Sequence, residues 1–332
     1  MTRSRSRALT LHNVFQVPLE GTALTLGILG VVAASIAVYL LQAIGLRPDT
    51  SSGFLSASLW PPLQATGFVF TAWGWSAPTH WFATLLIEIA LWALVGAAIS
   101  RTVIRRVSEN QPMGVRTALG FAACRSRQAL AFLGLAVGVF LVLGAPLLVV
   151  TLIGRLPAVG PALGTGLYLL SAPVLLLLAM LATAVALAAF PVGYFFLPAA
   201  LACREGSLLD CAARAIGYAF ARPFLFVWDL FKVVVFACGI GYVGTGLLPW
   251  VVHGMPTLYG LLPAGAHPAG LSSVAAVLQD IVLAVARLVT GGFVAAYLFG
   301  AGSLIYLSLR LEVDGVDFAG PTPEDPEPGA EA

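Results

Sequence analysis

Residues 207–248 read SLLDCAARAIGYAFARPFLFVWDLFKVVVFACGIGYVGTGLL, two helical signals joined at Pro223. In the first half, Ser207 stands three residues before Asp210 and resembles the S-x-x-E capping box, with Asp in place of Glu. Leu208, Ala212, Ala215, Ile216, Ala219 and Phe220 recur at helical spacing and define one apolar face. Asp210 and Arg214, four residues apart, pair on the other face. After Pro223 the run 224–248 stays apolar long enough to cross a bilayer, which takes about 20 residues. The stretch reads as an amphipathic elbow at a membrane surface, apolar face down and arginines toward phosphates, feeding a transmembrane helix. A plain structural elbow between spans is the competing reading.

The same design occurs 97 residues earlier. ALGFAACR (118–125) matches AIGYAFAR (215–222) at Ala, Gly, Ala and Arg, with conservative exchanges at Leu119/Ile216 and Phe121/Tyr218. Shifting the apolar runs 81–100 and 129–153 by the same offset lands on 178–197 and 226–250, again apolar. A span–elbow–span unit in one direction, present twice, implies a parallel repeat about an axis normal to the bilayer.

Extended over the chain, this pattern gives six spans, roughly 22–44, 81–100, 129–153, 173–198, 224–248 and 281–308. Helices satisfy their own backbone in lipid, and these solidly apolar runs lack the alternation of a transmembrane barrel. The fold class is therefore all-α, a polytopic membrane protein of six transmembrane helices with two parallel helix–elbow–helix repeats. The stretch 55–75 is uncharged, but Pro61-Pro62 breaks it, so it reads as an interfacial or re-entrant segment. Residues 1–21 form an N-terminal arm, 22–310 the membrane domain and 311–332 a tail.

Composition agrees. The 332 residues are 59% hydrophobic and 10% charged, with a mean hydropathy of +0.95. Soluble domains carry about 25% charged residues, so a water-soluble enzyme, a disordered chain and a disulfide scaffold are excluded. Basic residues set the orientation. Arg3, Arg5 and Arg7, then Arg101, Arg105, Arg106, Arg116, Arg125 and Arg127, then Arg204, Arg214, Arg222 and Arg310 fall on one side. Only Arg47 and Arg155 fall on the other, which places both termini in the cytoplasm of a cell (inner) membrane protein. Trp60, Trp73, Trp75, Trp81 and Trp250 mark the outer boundary.

After Arg310 come Glu312, Asp314, Asp317, Glu324, Asp325, Glu327 and Glu331, without a basic residue among them. This Pro-rich acidic tail is expected to be disordered. It suits a protein partner or the chain's own basic loops, a solubilising end being the blander alternative.

Signals for chemistry are sparse. Gly239, Gly241 and Gly244 spell G-x-G-x-x-G, but inside an apolar span, where small residues serve helix packing rather than a dinucleotide. Gly134 and Gly138 offer a matching surface in the third span. His12, His80, His253 and His267 show no ligand spacing, and Cys124, Cys203, Cys211 and Cys238 fit neither a zinc nor a redox motif. No cofactor, catalytic set, metal site or nucleic-acid patch is read from the chain.

Four ionisable residues fall within spans. Glu88 lies about 20 Å from the inner end of its span by helical rise. Asp229 and Lys232, three apart, pair near the inner interface, and Arg287 lies near the outer boundary. Intramembrane charges of this kind mark pathways or internal hydrogen bonds.

The elbow residues Ala215, Tyr218, Phe220, Arg222 and Pro223 match an A-x-S-Y-x-F-x-R-P pattern. Tyr306, Leu307, Leu309, Arg310, Val313, Asp314, Gly315 and Asp317 match a YLLLR-x-VDGTD pattern. In both, the chain resembles an uncharacterised family of six-span bacterial membrane proteins of planctomycete type. More distantly it is similar to membrane domains found beside glycerophosphodiester phosphodiesterases. Gly217 and Val316 depart from the usual Ser and Thr. The resemblance implies a six-span fold and no activity.

The function expected is a non-enzymatic scaffold, assembly or lipid-interacting component, its partner the lipid bilayer and its interfacial lipid contacts Arg116, Arg125, Arg214 and Arg222. The alternative is a small-solute transporter or permease with Glu88 as the coupling carboxylate.

Overall fold

A computed structural model describes residues 20–43, 78–109, 111–128, 196–203, 207–247 and 271–315, besides single positions 166, 173, 177 and 251. The described elements are all helical: α1 Gly21–Ala43, α2 Pro78–Glu109, α3 Val115–Cys124, α4 Leu197–Ala202, α5 Leu208–Ala221, α6 Pro223–Tyr242 and α7 Leu271–Asp314. A π-helical turn, Val243–Leu247, extends α6. Two of these, α6 and the Val277–Asp314 part of α7, are long and apolar enough to cross a membrane.

The run 22–44 forms the helix α1, whose apolar part Gly21–Ala37 is shorter than a span, and 224–248 corresponds to α6 with its π turn. The segments 55–75 and 129–153, with Gly134 and Gly138, lie outside the described residues, as does most of 173–198. Three boundaries differ from the sequence reading: α7, expected from residue 281, begins at Leu271. The helix expected to stop at residue 100 continues to Glu109, so Arg101, Arg105 and Arg106 are helical rather than part of a connection. Its apolar stripe runs on through buried Val103 and Ile104, and no Gly or Pro interrupts it. Likewise α7 reaches four residues into the segment read as tail. It stops at Asp314 because Gly315 takes a left-handed φ of 65° and donates its N–H to the Leu311 carbonyl at 3.1 Å, an αL cap.

The centre of the bundle is α7. Every residue from Val294 to Leu307 is buried, as expected of a helix that is apolar all round. It touches α1, α2, α4, α5 and α6. Two buried hydroxyls in this core bond back to their own helices: Ser303 donates to the Phe299 carbonyl and Ser35 of α1 to that of Val31.

Glycines set how closely the helices approach. A Cβ on Gly27 of α1 would overlap the Gly292 carbonyl of α7, and one on Gly292 would overlap Ile28. The two backbones are thus in direct contact. Gly30 receives the Trp92 ring of α2, and Gly96 of α2 receives Phe299 of α7, with a Cβ there only 2.6 Å from the ring. Trp92 and Phe299 stack with centroids 6.1 Å apart.

The G-x-G-x-x-G surface is corrected in one position. Gly244 packs against Thr290 of α7 and Gly241 is buried, but Gly239 is exposed with open space around it. Residues two apart on a helix point to opposite sides, so Gly239 cannot share the face of Gly241.

Gly27→Ala is therefore expected to destabilise the protein by about 1–3 kcal/mol, because the overlapping atom is backbone that no rotamer change can move. Gly239→Ala meets no atom within 4 Å and removes only a glycine's helix penalty, so it should be neutral or slightly stabilising. Thermal unfolding in detergent compares the two, and equal midpoints would contradict the contact.

Candidate functional site

At one end of the bundle, two short helices, α3 and α5, lie against the ends of α2, α4 and α7. They begin differently. Ser207 Oγ accepts the Asp210 N–H at 3.3 Å, while the Asp210 carboxylate accepts the Ser207 N–H at 3.2 Å and its hydroxyl at 2.6 Å. The capping box read from the sequence is present. The Ser207 hydroxyl, then its backbone N–H, hold the Asp210 carboxyl below its ordinary 3.8, against slight desolvation and with the Arg214 charge assisting. The start of α3 has no such side-chain cap, its N-cap being Gly114.

Arg222 makes the corner between α5 and α6. It is the last cap of α5, donating its N–H to the Tyr218 carbonyl, and the first of α6, its own carbonyl accepting from Phe226 at 3.0 Å. Pro223 follows at the first helical position, where a missing N–H costs nothing. Arg125 caps α3 in the corresponding place and donates to Gln128 Oε1 at 2.7 Å.

The buried face of α5 is Cys211, Ala215, Tyr218 and Ala219. This corrects the face expected from spacing, since Ile216 is 44% and Phe220 68% exposed. The helix is apolar around more of its girth than its groove can cover, and the tyrosine, not the isoleucine, enters. Tyr218 stacks edge-on with Tyr306 of α7 at 5.5 Å, and Tyr306 in turn with Phe196 at 5.9 Å. Its hydroxyl donates to the carboxylate of Asp314, at the end of α7. Tyr218, Tyr306 and Asp314 belong to the two sequence patterns quoted above, and the fold brings the patterns together.

A second tie joins α2, α3 and α4. Arg101 is 4% exposed, donates from Nη1 to the Ala202 carbonyl at 2.8 Å and lies 5.2 Å over the Phe121 ring. Ala202 ends α4, so the guanidinium meets carbonyl oxygens where the helix dipole is negative. Counted from the sequence as one positive charge among many, Arg101 is a structural clamp. Its only signal was its place at the end of an apolar stripe.

The outward side of this end carries Arg116, Arg127, Arg214 and Arg222, all exposed, with Arg125 half-buried. Interleaved with them are exposed Leu119, Ile216, Phe220 and Phe224, the last 90% accessible. Of the intramembrane candidates, Asp229 and Lys232 pair at 2.7 Å on α6, and the ammonium lies 5.3 Å over Trp228. Arg287 is half-buried on α7. Glu88 falls within α2, but its side chain lies outside the described residues. Among the described residues no three His, Cys, Asp or Glu side chains converge as metal ligands would.

No family model, curated protein or solved structure matches the chain.

Two outcomes follow for this end of the molecule. Tyr218→Phe keeps the ring contacts and loses the bond to Asp314, which should cost about 0.5–1.5 kcal/mol in detergent unfolding. Asp210 acts as a cap only while ionised. Its lowered value means the stabilisation is complete above pH 3.8 and is lost as pH falls through the lower folded value. The stability difference between the native chain and Ser207→Ala should therefore be constant near neutrality and shrink in acid. A difference that does not change with pH would show that the carboxylate plays no part.

Proposed function

We propose that this is a six-span protein of the bacterial inner membrane, both termini cytoplasmic, that acts as a non-enzymatic, lipid-interacting scaffold. It falls within the family that its two motifs resemble. The observation that carries the reading is the outward face of α3, α5 and the first turn of α6, where exposed arginines alternate with exposed Leu119, Ile216, Phe220 and Phe224. Helices of that composition lie in the interface, apolar residues among acyl chains and guanidinium groups on phosphates. Their other faces are tied to the ends of α2, α4 and α7, so the basic face is held at a fixed height beside α6 and α7.

The parallel repeat is supported by how the two elbows are used. At the 97-residue offset, Ala118 and Ala215 are both buried, as are Ala122 and Ala219. Leu119 and Ile216 are both exposed, Gly120 and Gly217 both face open space, and Arg125 and Arg222 both cap. Phe121 and Tyr218 each carry a tie to a neighbouring helix. One sequence pattern thus serves one packing role twice. The Asp229–Lys232 pair fits the ordinary interfacial role, with no gate required.

The test is lipid retention. Native protein and an Arg214→Gln, Arg222→Gln variant are purified in mild detergent with phosphatidylglycerol, and bound lipid is counted by native mass spectrometry. Each arginine near an anionic surface contributes about 1 kcal/mol, so losing two should lower the affinity for bound lipid by about thirtyfold. Equal retention of phosphatidylglycerol, or equal preference for it over phosphatidylcholine, would overturn the reading.

A further inference from the structure

The end of α7 and the arginine face of α5 are joined by one hydrogen bond. Tyr218 holds Asp314, the last helical residue, and Gly315 then turns the chain with its left-handed backbone. Arg214 and Arg222 stand four residues before and four after Tyr218, one helical turn to either side. The acidic segment 316–332 thus follows in sequence from a contact made on α5, whose Arg214 and terminal cap Arg222 are both exposed. That segment contains Asp317, Glu324, Asp325, Glu327 and Glu331 and no Lys or Arg.

Reach and charge both fit. Asp325 lies ten residues past Gly315, and a chain of that length spans about 17 Å root-mean-square. Arg214 and Arg222, eight residues apart, are separated by about 12 Å of helical rise. A segment tethered this closely meets the face at an effective concentration in the millimolar range. Asp210 already shares the Arg214 charge, but Asp210 is a single carboxylate, also engaged with Ser207, against the five of the tail. The Phe220 and Phe224 rings beside the arginines are exposed, so the same surface offers apolar contact to Phe318.

We propose that the acidic C-terminal segment folds back onto α5 and occupies the Arg214–Arg222 face as an internal competitor of phospholipid phosphate. The docking rests on the position of Asp314 and on charge. Only the competition rests on the lipid-interacting reading above.

The full chain carrying benzoylphenylalanine in place of Phe318 tests this in nanodiscs. In phosphatidylcholine at low salt, irradiation should cross-link the tail to peptides within 208–224. Raising salt to 0.5 M, where the screening length falls to about 4 Å, should reduce the yield several-fold. So should neutralising the tail (Asp317→Asn, Glu324→Gln, Asp325→Asn, Glu327→Gln, Glu331→Gln), which leaves every helical residue intact. Arg214→Gln with Arg222→Gln should do the same from the other side. No cross-link to α5, or one that persists at full yield after the tail is neutralised, would overturn the docking. In phosphatidylglycerol the native yield should also fall several-fold. A salt-sensitive cross-link that phosphatidylglycerol leaves unchanged would keep the docking and overturn the competition together with the lipid reading.

Discussion

The backbone contact between Gly27 and Gly292 is the constraint on which the rest of the bundle depends. Helices that meet through side chains stand 8–10 Å apart, and removing both Cβ atoms lets them come closer. With α1 held against α7 in this way, Gly30 is in position to receive Trp92, and Gly96 to receive Phe299. Three helices thus interlock through small residues on one partner and rings on the next. In lipid, where burial of apolar surface gives no advantage over acyl chains, such packing is the main source of helix association.

The other end of the molecule is held by polar groups. Arg101 meets the terminal carbonyl of α4 beneath the Phe121 ring, and Tyr218 meets the carboxylate that ends α7. Both ties use a short surface helix as one jaw, and the first also supplies a donor to a carbonyl that the end of α4 leaves without a partner in the helix. These ties fix which faces of α3 and α5 turn inward. Their remaining apolar residues and arginines face outward, and the lipid-interacting reading rests on that orientation.

Parts of this were legible in the chain. The Ser207–Asp210 box needed only residues three apart, and the Asp229–Lys232 pair likewise, because local spacing on a helix decides both. The extent of α1 followed from its apolar run. The face of α5 was misjudged because hydrophobicity alone ranks Ile216 and Phe220 above Tyr218, whereas the groove selects a ring with a hydroxyl at its tip. The place of Arg101 was missed for a related reason: a charge at the end of an apolar run reads as a boundary unless its partner, a hundred residues away, is known.

Taken alone, the order of residues determined the helical class, the apolar runs and the Ser207–Asp210 capping box. These depend on interactions within a few residues, and the period of a helix makes them visible in one dimension. Only the tertiary structure decided which glycines touch backbone, which elbow residues turn inward, and that Tyr218 and Asp314 meet. Those contacts join positions up to about 265 residues apart, and their energies depend on shape and direction that composition does not carry.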